Sequence, residues 1–206
     1  MPAAISRPHP SDHNSCQSFH ACPNRYLSAG AGRCTSEDVI CMELIVLRHG
    51  EAGNSSPSMT KDFGRGLTTS GRDEMEEVAV SIYGMKLEID RIMTSPLPRA
   101  RESAEIVAKR LKKQEVLEVW DELKPEGRTA DLYRRLSKLK GESSVLLVGH
   151  EPFLSCMIGE LITGGRSCGI VLKKAGMAKV FVRSFGSKPS GELRWLMTPR
   201  QLRRMT

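Results

Sequence analysis

The sequence predicts an α/β domain with a largely parallel core sheet and antiparallel strands near its C-terminus. Three observations carry that prediction. Short apolar runs rich in β-branched residues alternate with segments of helical periodicity; two of the runs, LIVL (44–47) and VLLV (145–148), are apolar without interruption, as buried strands are; and the stretch 168–199 breaks into short runs separated by glycine-containing turns.

The first strand is expected over about Glu43 to Leu47, and it delivers Arg48-His49-Gly50 at its carboxyl end. After a loop from Glu51 to Gly66, LTTSGRDEMEEVAVSIYGM reads as a helix opened near Thr69 or Ser70, with Val78, Ile82 and Met85 on one face. Asp90 to Thr94 is a short strand. Pro98 to Lys112 is a second helix that turns Ala100, Ala104, Ile106, Val107 and Leu111 inward. EVLEVW (115–120) is a further strand candidate, and TADLYRRLSKLK an amphipathic helix ending at Gly141. The buried strand Val145 to Val148 ends in Gly149-His150, and a helix follows from about Pro152 to Ile162, since proline is favoured in a first helical turn. Antiparallel strands and a basic tail complete the chain.

The chain has 206 residues, 39% of them hydrophobic and 27% charged, enough for one domain with a sizeable core. No run approaches the roughly 18–20 apolar residues of a membrane span. Residues 1–41 differ from the rest. Their three Arg and three acidic residues cancel, so the net charge of +7 falls on residues 42–206, and they hold Cys16, Cys22, Cys34, Cys41, His9, His13 and His20 without sustained apolar periodicity. The segment reads as a disordered extension before a domain over 42–206, with Met42 as an alternative start. No cysteine pair in it has the spacing of a structural zinc site. It has no apolar stretch of roughly 7–15 residues to serve as a secretory signal, while its Ser-rich, acid-poor composition leaves an organellar transit peptide open. Beyond the tail only Cys156 and Cys168 remain, which fits a reducing, cytoplasmic compartment. The basic stretches KRLKK, YRRLSKLK and RQLRRM are scattered and aromatics are only 5%, so solvated helix faces explain them better than a nucleic-acid interface.

In open α/β sheets ligands bind beyond the carboxyl ends of the strands. Arg48-His49, Ser95 to Arg99 and Gly149-His150 each follow a predicted strand, and His49 and His150 are the only histidines after residue 41. Alone each is weak; together they place two imidazoles and two guanidinium groups at one edge.

In order and spacing, LRHGEA, LTTSGRDE, TSPLPRARESA and VGHEPF resemble the motifs of the histidine phosphatase superfamily, also called phosphoglycerate-mutase-like. The compact form, ending ELRWLMTPRQL, looks most like the SixA-type phosphohistidine phosphatases, over about residues 42–206. The resemblance implies a three-layer sandwich and a metal-independent reaction on a phosphorylated protein or small phosphate ester through a covalent phosphohistidine. It makes His49 the nucleophile, Arg48 and Arg99 the phosphate-binding arginines, and His150 a donor to an equatorial oxygen, expected as the imidazolium. Arg65 matches a further arginine, with Arg72 and Lys61 as alternatives, and Gly50 is expected to let the chain turn and the phosphate approach the main chain. Glu122 in WDELKPEG is the natural proton donor, with Asp121 and Glu51 as alternatives. One departure stands out: Glu102-Ser103 occupy positions where the family usually has Gln-Thr. No His-Glu-x-x-His pair, Walker loop or carboxylate cluster calls for a metal, so no cofactor is expected.

Overall fold

The structure, a computed structural model, describes residues 42–53, 63–139, 144–165 and 169–205. The expectations for the extension 1–41, for Lys61, for the helix end at Gly141 and for Cys168 lie outside the described residues.

Among the described residues, one six-stranded sheet organises the fold. Its strands are β1 (Met42–Arg48), β2 (Arg91–Thr94), β3 (Leu117–Val119), β4 (Ser144–Gly149), β5 (Met177–Ser184) and β6 (Ser190–Met197), in the order β3-β2-β4-β1-β5-β6. The pairs β3·β2, β2·β4 and β4·β1 are parallel; β5 runs antiparallel to both β1 and β6. The helices are α1 (Thr69–Gly84), α2 (Pro98–Leu111), α3 (Thr129–Leu136), α4 (Phe153–Thr163) and the short α5 (Pro199–Leu202).

The uninterrupted apolar run of β1 is buried on both faces because successive strand residues point to opposite sides. Leu44 and Val46 join Val145, Leu147, Ala178 and Val180 on one face, covered by Leu132 and Leu136 of α3 and Phe153, Met157 and Leu161 of α4. Ile45 and Leu47 join Ile92, Leu146 and Val148 on the other, covered by Met75, Val78 and Ile82 of α1 and Ala100, Ala104 and Val107 of α2. This is the α/β three-layer sandwich the sequence foretold.

The element boundaries differ in small ways with local causes. Helix α1 is capped by Thr68, whose hydroxyl accepts the Gly71 N–H at 2.9 Å, so helix begins at Thr69. In α2, Ile106 and Leu111 are only partly buried and Ala108 fills the inward position instead. Helix α3 stops at Leu136 and β3 shrinks to three residues after a 3₁₀ turn over Gln114–Val116. Pro152 caps α4 from outside its first turn, and Gly164, at φ 74, closes it in the left-handed conformation glycine tolerates. Residues 169–176 form no strand, and the basic tail folds into α5 with a Thr198/Gln201 capping box.

Candidate active site

Strand register brings the two histidines together. Arg48 pairs with Gly149 across the parallel β1·β4 ladder, so the next residue on each strand is an imidazole, and the His49 N–H donates to the Gly149 carbonyl at 3.1 Å. Their ring centroids are 4.9 Å apart with planes tilted by 55°. Strand β2 lies on the far side of β4, and the Ser95 N–H donates to Val148 O, which sets the Ser95 hydroxyl 2.9 Å from His150 Nε2. Arg99 enters from the first turn of α2 and is 4% exposed; His49 is 8% and His150 2% exposed. Arg48, His49, Ala52, Arg65, Arg99, Pro125, His150, Glu151 and Lys174 line one cleft of about 280 Å³. Larger hollows of about 550 and 640 Å³ are lined by neither histidine, so the chemistry and not the volume marks the site.

The His49 ring has a defined tautomer. Its Nδ1 lies 2.7 Å from the Gly50 carbonyl, which only accepts, so Nδ1 carries the proton and Nε2 keeps its lone pair. Burial, opposed by that bond and reinforced by Arg99, Arg48 and Arg65, lowers its pKa to about 4. His150 is pushed further down, to about 2, by burial first and then by His49, Arg99, Arg48 and Arg65. In the free site, burial and the surrounding cations thus favour a neutral His150 ring; the imidazolium is an expectation for the site with phosphate in it. His150 Nδ1 is buried without a protein partner, as is Arg48 Nε. Both atoms belong to residues that line the cleft.

Gly50 has a different reason from the one expected. It is not at positive φ and does not line the cleft. A Cβ there would meet Met75 Cγ at 2.7 Å and Gly71 O at 3.0 Å, so the missing side chain lets β1's exit pack against the start of α1. Ser103 accepts the Gly50 N–H at 3.1 Å and donates to Arg99 O at 2.7 Å, joining the two segments that carry His49 and Arg99. Glu102 accepts from Leu67 N–H at 2.8 Å and Arg72 at 2.6 Å, which ties Arg72 away from the cleft and leaves Arg65 as the arginine of that loop that lines it. Arg65 itself donates to Gly53 O at 2.5 Å. The Glu102-Ser103 pair thus braces the site from behind.

The proton-donor expectation needs correction. Glu122 does not line the cleft; its carboxylate pairs with Arg135 at 2.8 Å, whose guanidinium stacks 4.0 Å from the Trp120 ring centroid. Asp121 pairs with Lys124 and Glu51 with Lys174. Among the described residues, the carboxyl that lines the cleft is Glu151, which sequence reasoning missed. One of its oxygens accepts from the Ser155 hydroxyl, and Oε1 is buried without a partner. Burial, partly offset by Ser155 and Arg48, raises its pKa above the usual carboxylate range. Its position directly after His150 was the available signal.

Among the described residues no cluster of His, Cys, Asp and Glu fits a metal ion, and no helix is long and apolar enough to cross a membrane.

The fold and cleft define an α/β protein with a cleft lined by paired histidines and arginines at the carboxyl edge of the sheet. Comparison with known proteins narrows that class. The sequence profile of the histidine phosphatase superfamily (branch 1) matches residues 44–126. The phosphohistidine phosphatase SixA of Escherichia coli is 32% identical over 164 residues, which cover 79% of this chain and 97% of that protein. The solved structure of the protein histidine phosphatase SixA complexed with tungstate superposes with a TM-score of 0.69 at 32% identity, covering 78% of this chain and 99% of that one. A putative alpha-ribazole-5'-P phosphatase from Escherichia coli shares the fold, with a TM-score of 0.63 at 16% identity over 78% of this chain and 98% of its own. The chain belongs to the histidine phosphatase superfamily.

Proposed function

We propose that the protein is a phosphohistidine phosphatase acting on a phosphorylated protein through a covalent intermediate on His49. The observation that carries the reading is the His49 tautomer: the bond to Gly50 O places the ring proton on Nδ1, and burial among arginines keeps the ring neutral, so Nε2 is unprotonated in an arginine-lined cleft. The lone pair of Nε2 attacks phosphorus; the bond to the leaving nitrogen breaks with its electrons returning to that nitrogen, and the substrate ring, already protonated on its other nitrogen, departs as neutral imidazole. Water then attacks the phosphohistidine, the P–N bond returns its electrons to Nε2, and inorganic phosphate leaves. Arg48, Arg65 and Arg99 supply the positive charge that the transferring phosphoryl group needs, with no metal ion required. As phosphate enters, its charge favours a proton on His150, which then donates to an equatorial oxygen. Kinship with the phosphohistidine phosphatase SixA supports the substrate class.

Glu151 favours a second reading, hydrolysis of small phosphate esters. An imidazole leaving group has a conjugate-acid pKa of about 6.5 and hardly needs help, whereas an alkoxide requires a proton, and a half-buried carboxyl whose pKa burial raises is the group in the cleft suited to provide it. The test is a substrate panel read with variants. Labelled phosphate trapped on His49 from a phosphohistidine protein supports the first reading; efficient ester hydrolysis with no action on phosphohistidine overturns it. Glu151→Gln is expected to lower ester turnover by roughly 10²-fold and phosphohistidine turnover far less. Glu122→Gln, which only breaks a pairing with Arg135, is expected to leave both within about twofold, since such ion pairs contribute ~1 kcal/mol or less.

A further inference from the structure

The rim of the cleft holds one cation that the chemistry above does not use. Lys174 lines the cleft, and its ammonium rests on Glu51, Nζ to Oε1 at 3.5 Å, with the two side chains 48% and 49% exposed. Such an exposed pair is nearly neutral energetically, so Glu51 is readily exchanged for another carboxylate. The backbone under Lys174 is fixed. Arg48 N–H donates to Gly176 O and Ala175 N–H to His49 O, each at 3.1 Å, and the Arg48 guanidinium donates to Leu172 O at 2.8 Å. Ala175 is held at φ 54, a left-handed conformation that persists in a non-glycine residue only where its surroundings enforce it. The segments bearing the nucleophile and Lys174 are therefore stitched together, so the backbone from which the lysine stem extends holds a fixed place beside the cleft.

Two features separate Lys174 from the phosphate-binding arginines. Arg99 is buried and Arg48 is anchored by its bond to Leu172, whereas the lysine is a point charge on a flexible stem, suited to a carboxylate of variable position more than to a fixed tetrahedral anion. Its present partner is already a carboxylate. Glu74 stands close enough to Glu51 and Lys174 for its own ionisation to feel both. Without the lysine, this rim would repel an acidic ligand.

We propose that Lys174 is a specificity-determining residue that trades Glu51 for an acidic side chain flanking the phosphorylated residue, so that the preferred substrate is an acidic phosphohistidine segment. The inference rests on the phosphatase reading above. Two synthetic phosphohistidine peptides test it, one with Glu on both sides of the phosphorylated residue and one with Gln. The wild-type protein is expected to show a severalfold lower KM for the Glu peptide at similar kcat. Lys174→Ala should abolish or invert that preference through the KM of the Glu peptide, and Glu51→Gln, which frees the ammonium, should enlarge it. Turnover of both peptides without a charge preference, a preference untouched by Lys174→Ala, or an equal loss of kcat on both peptides in that variant overturns the inference alone. Failure of the wild-type protein to hydrolyse either peptide overturns the phosphatase reading and this inference with it.

Discussion

At Gly50 a hydrogen atom in place of a methyl group controls the state of the His49 ring. The Gly50 carbonyl fixes the His49 proton, its N–H is held by Ser103, and its Cα packs where a Cβ would sit 2.7 Å from Met75. Gly50→Ala is expected to cost about 1–3 kcal/mol as overpacking. It should also reduce kcat well beyond the loss of folded protein, because relief of the clash moves the carbonyl that selects the tautomer. Urea unfolding together with kcat on one substrate separates the two effects; full activity in a destabilised variant would show that the carbonyl does not govern the ring. The importance of this glycine was legible in the Arg-His-Gly triplet, but its reason was not. Its contacts come from Met75 and Gly71, more than twenty residues away, and local sequence carries no record of them. Glu151 was missed for a related cause. A glutamate beside a histidine is ordinary in sequence, and only burial of one oxygen distinguishes it from Glu122, whose carboxylate has gone to Arg135.

Between elements, the strand ends were the readable part and the braces were not. Strand alternation and apolar runs are local signals, so β1 and β4 could be placed to within a residue or two, and parallel pairing then put Arg48 beside Gly149. The clamp from α2 to the loop before α1 has no such signal. Glu102 reaches 35 residues back to the Leu67 N–H, and a Cβ on Gly66 would strike its Oε1 at 2.6 Å. Arg65, adjacent to that glycine, depends on the clamp for its place at the cleft. Glu102→Ala is expected to raise KM severalfold with a smaller change in kcat, since the phosphate loses a positioned guanidinium while His49 keeps its own support. The freed Leu67 N–H adds roughly 1–3 kcal/mol of destabilisation if it stays dry. Glu102→Gln retains an acceptor for Leu67 and should recover most of the KM. Equal KM values for Glu102→Ala and the wild-type protein would detach Arg65 from substrate binding.

At the scale of the whole molecule, the sandwich stores two neutral imidazoles at the edge of its sheet, and folding stability is thereby linked to pH. In the unfolded chain both histidines titrate near 6.5; in the folded protein His49 titrates at about 4 and His150 at about 2. Both folded values are depressed, so below pH 6.5 the unfolded chain binds more protons and stability falls with falling pH. The contribution is complete above about 6.5 and is lost as pH descends through 4 for His49 and lower for His150. With two protons taken up on unfolding, the slope approaches about 2.7 kcal/mol per pH unit between roughly pH 4.5 and 6. Glu151 and Glu74, whose pKa values burial raises, act in the opposite direction near the bottom of that window, and Glu118, lowered by its bond to Trp120, acts with the histidines. Urea unfolding at pH 5, 6 and 7 measures the slope, and the His49→Asn/His150→Asn double variant isolates its source by flattening it. Inorganic phosphate should flatten it as well, because an anion in the cleft raises the folded-state pKa of the imidazole that donates to it. A slope that survives both the double variant and saturating phosphate would assign the acid sensitivity to carboxylates elsewhere and remove the cost of burying the two rings from the stability of the fold.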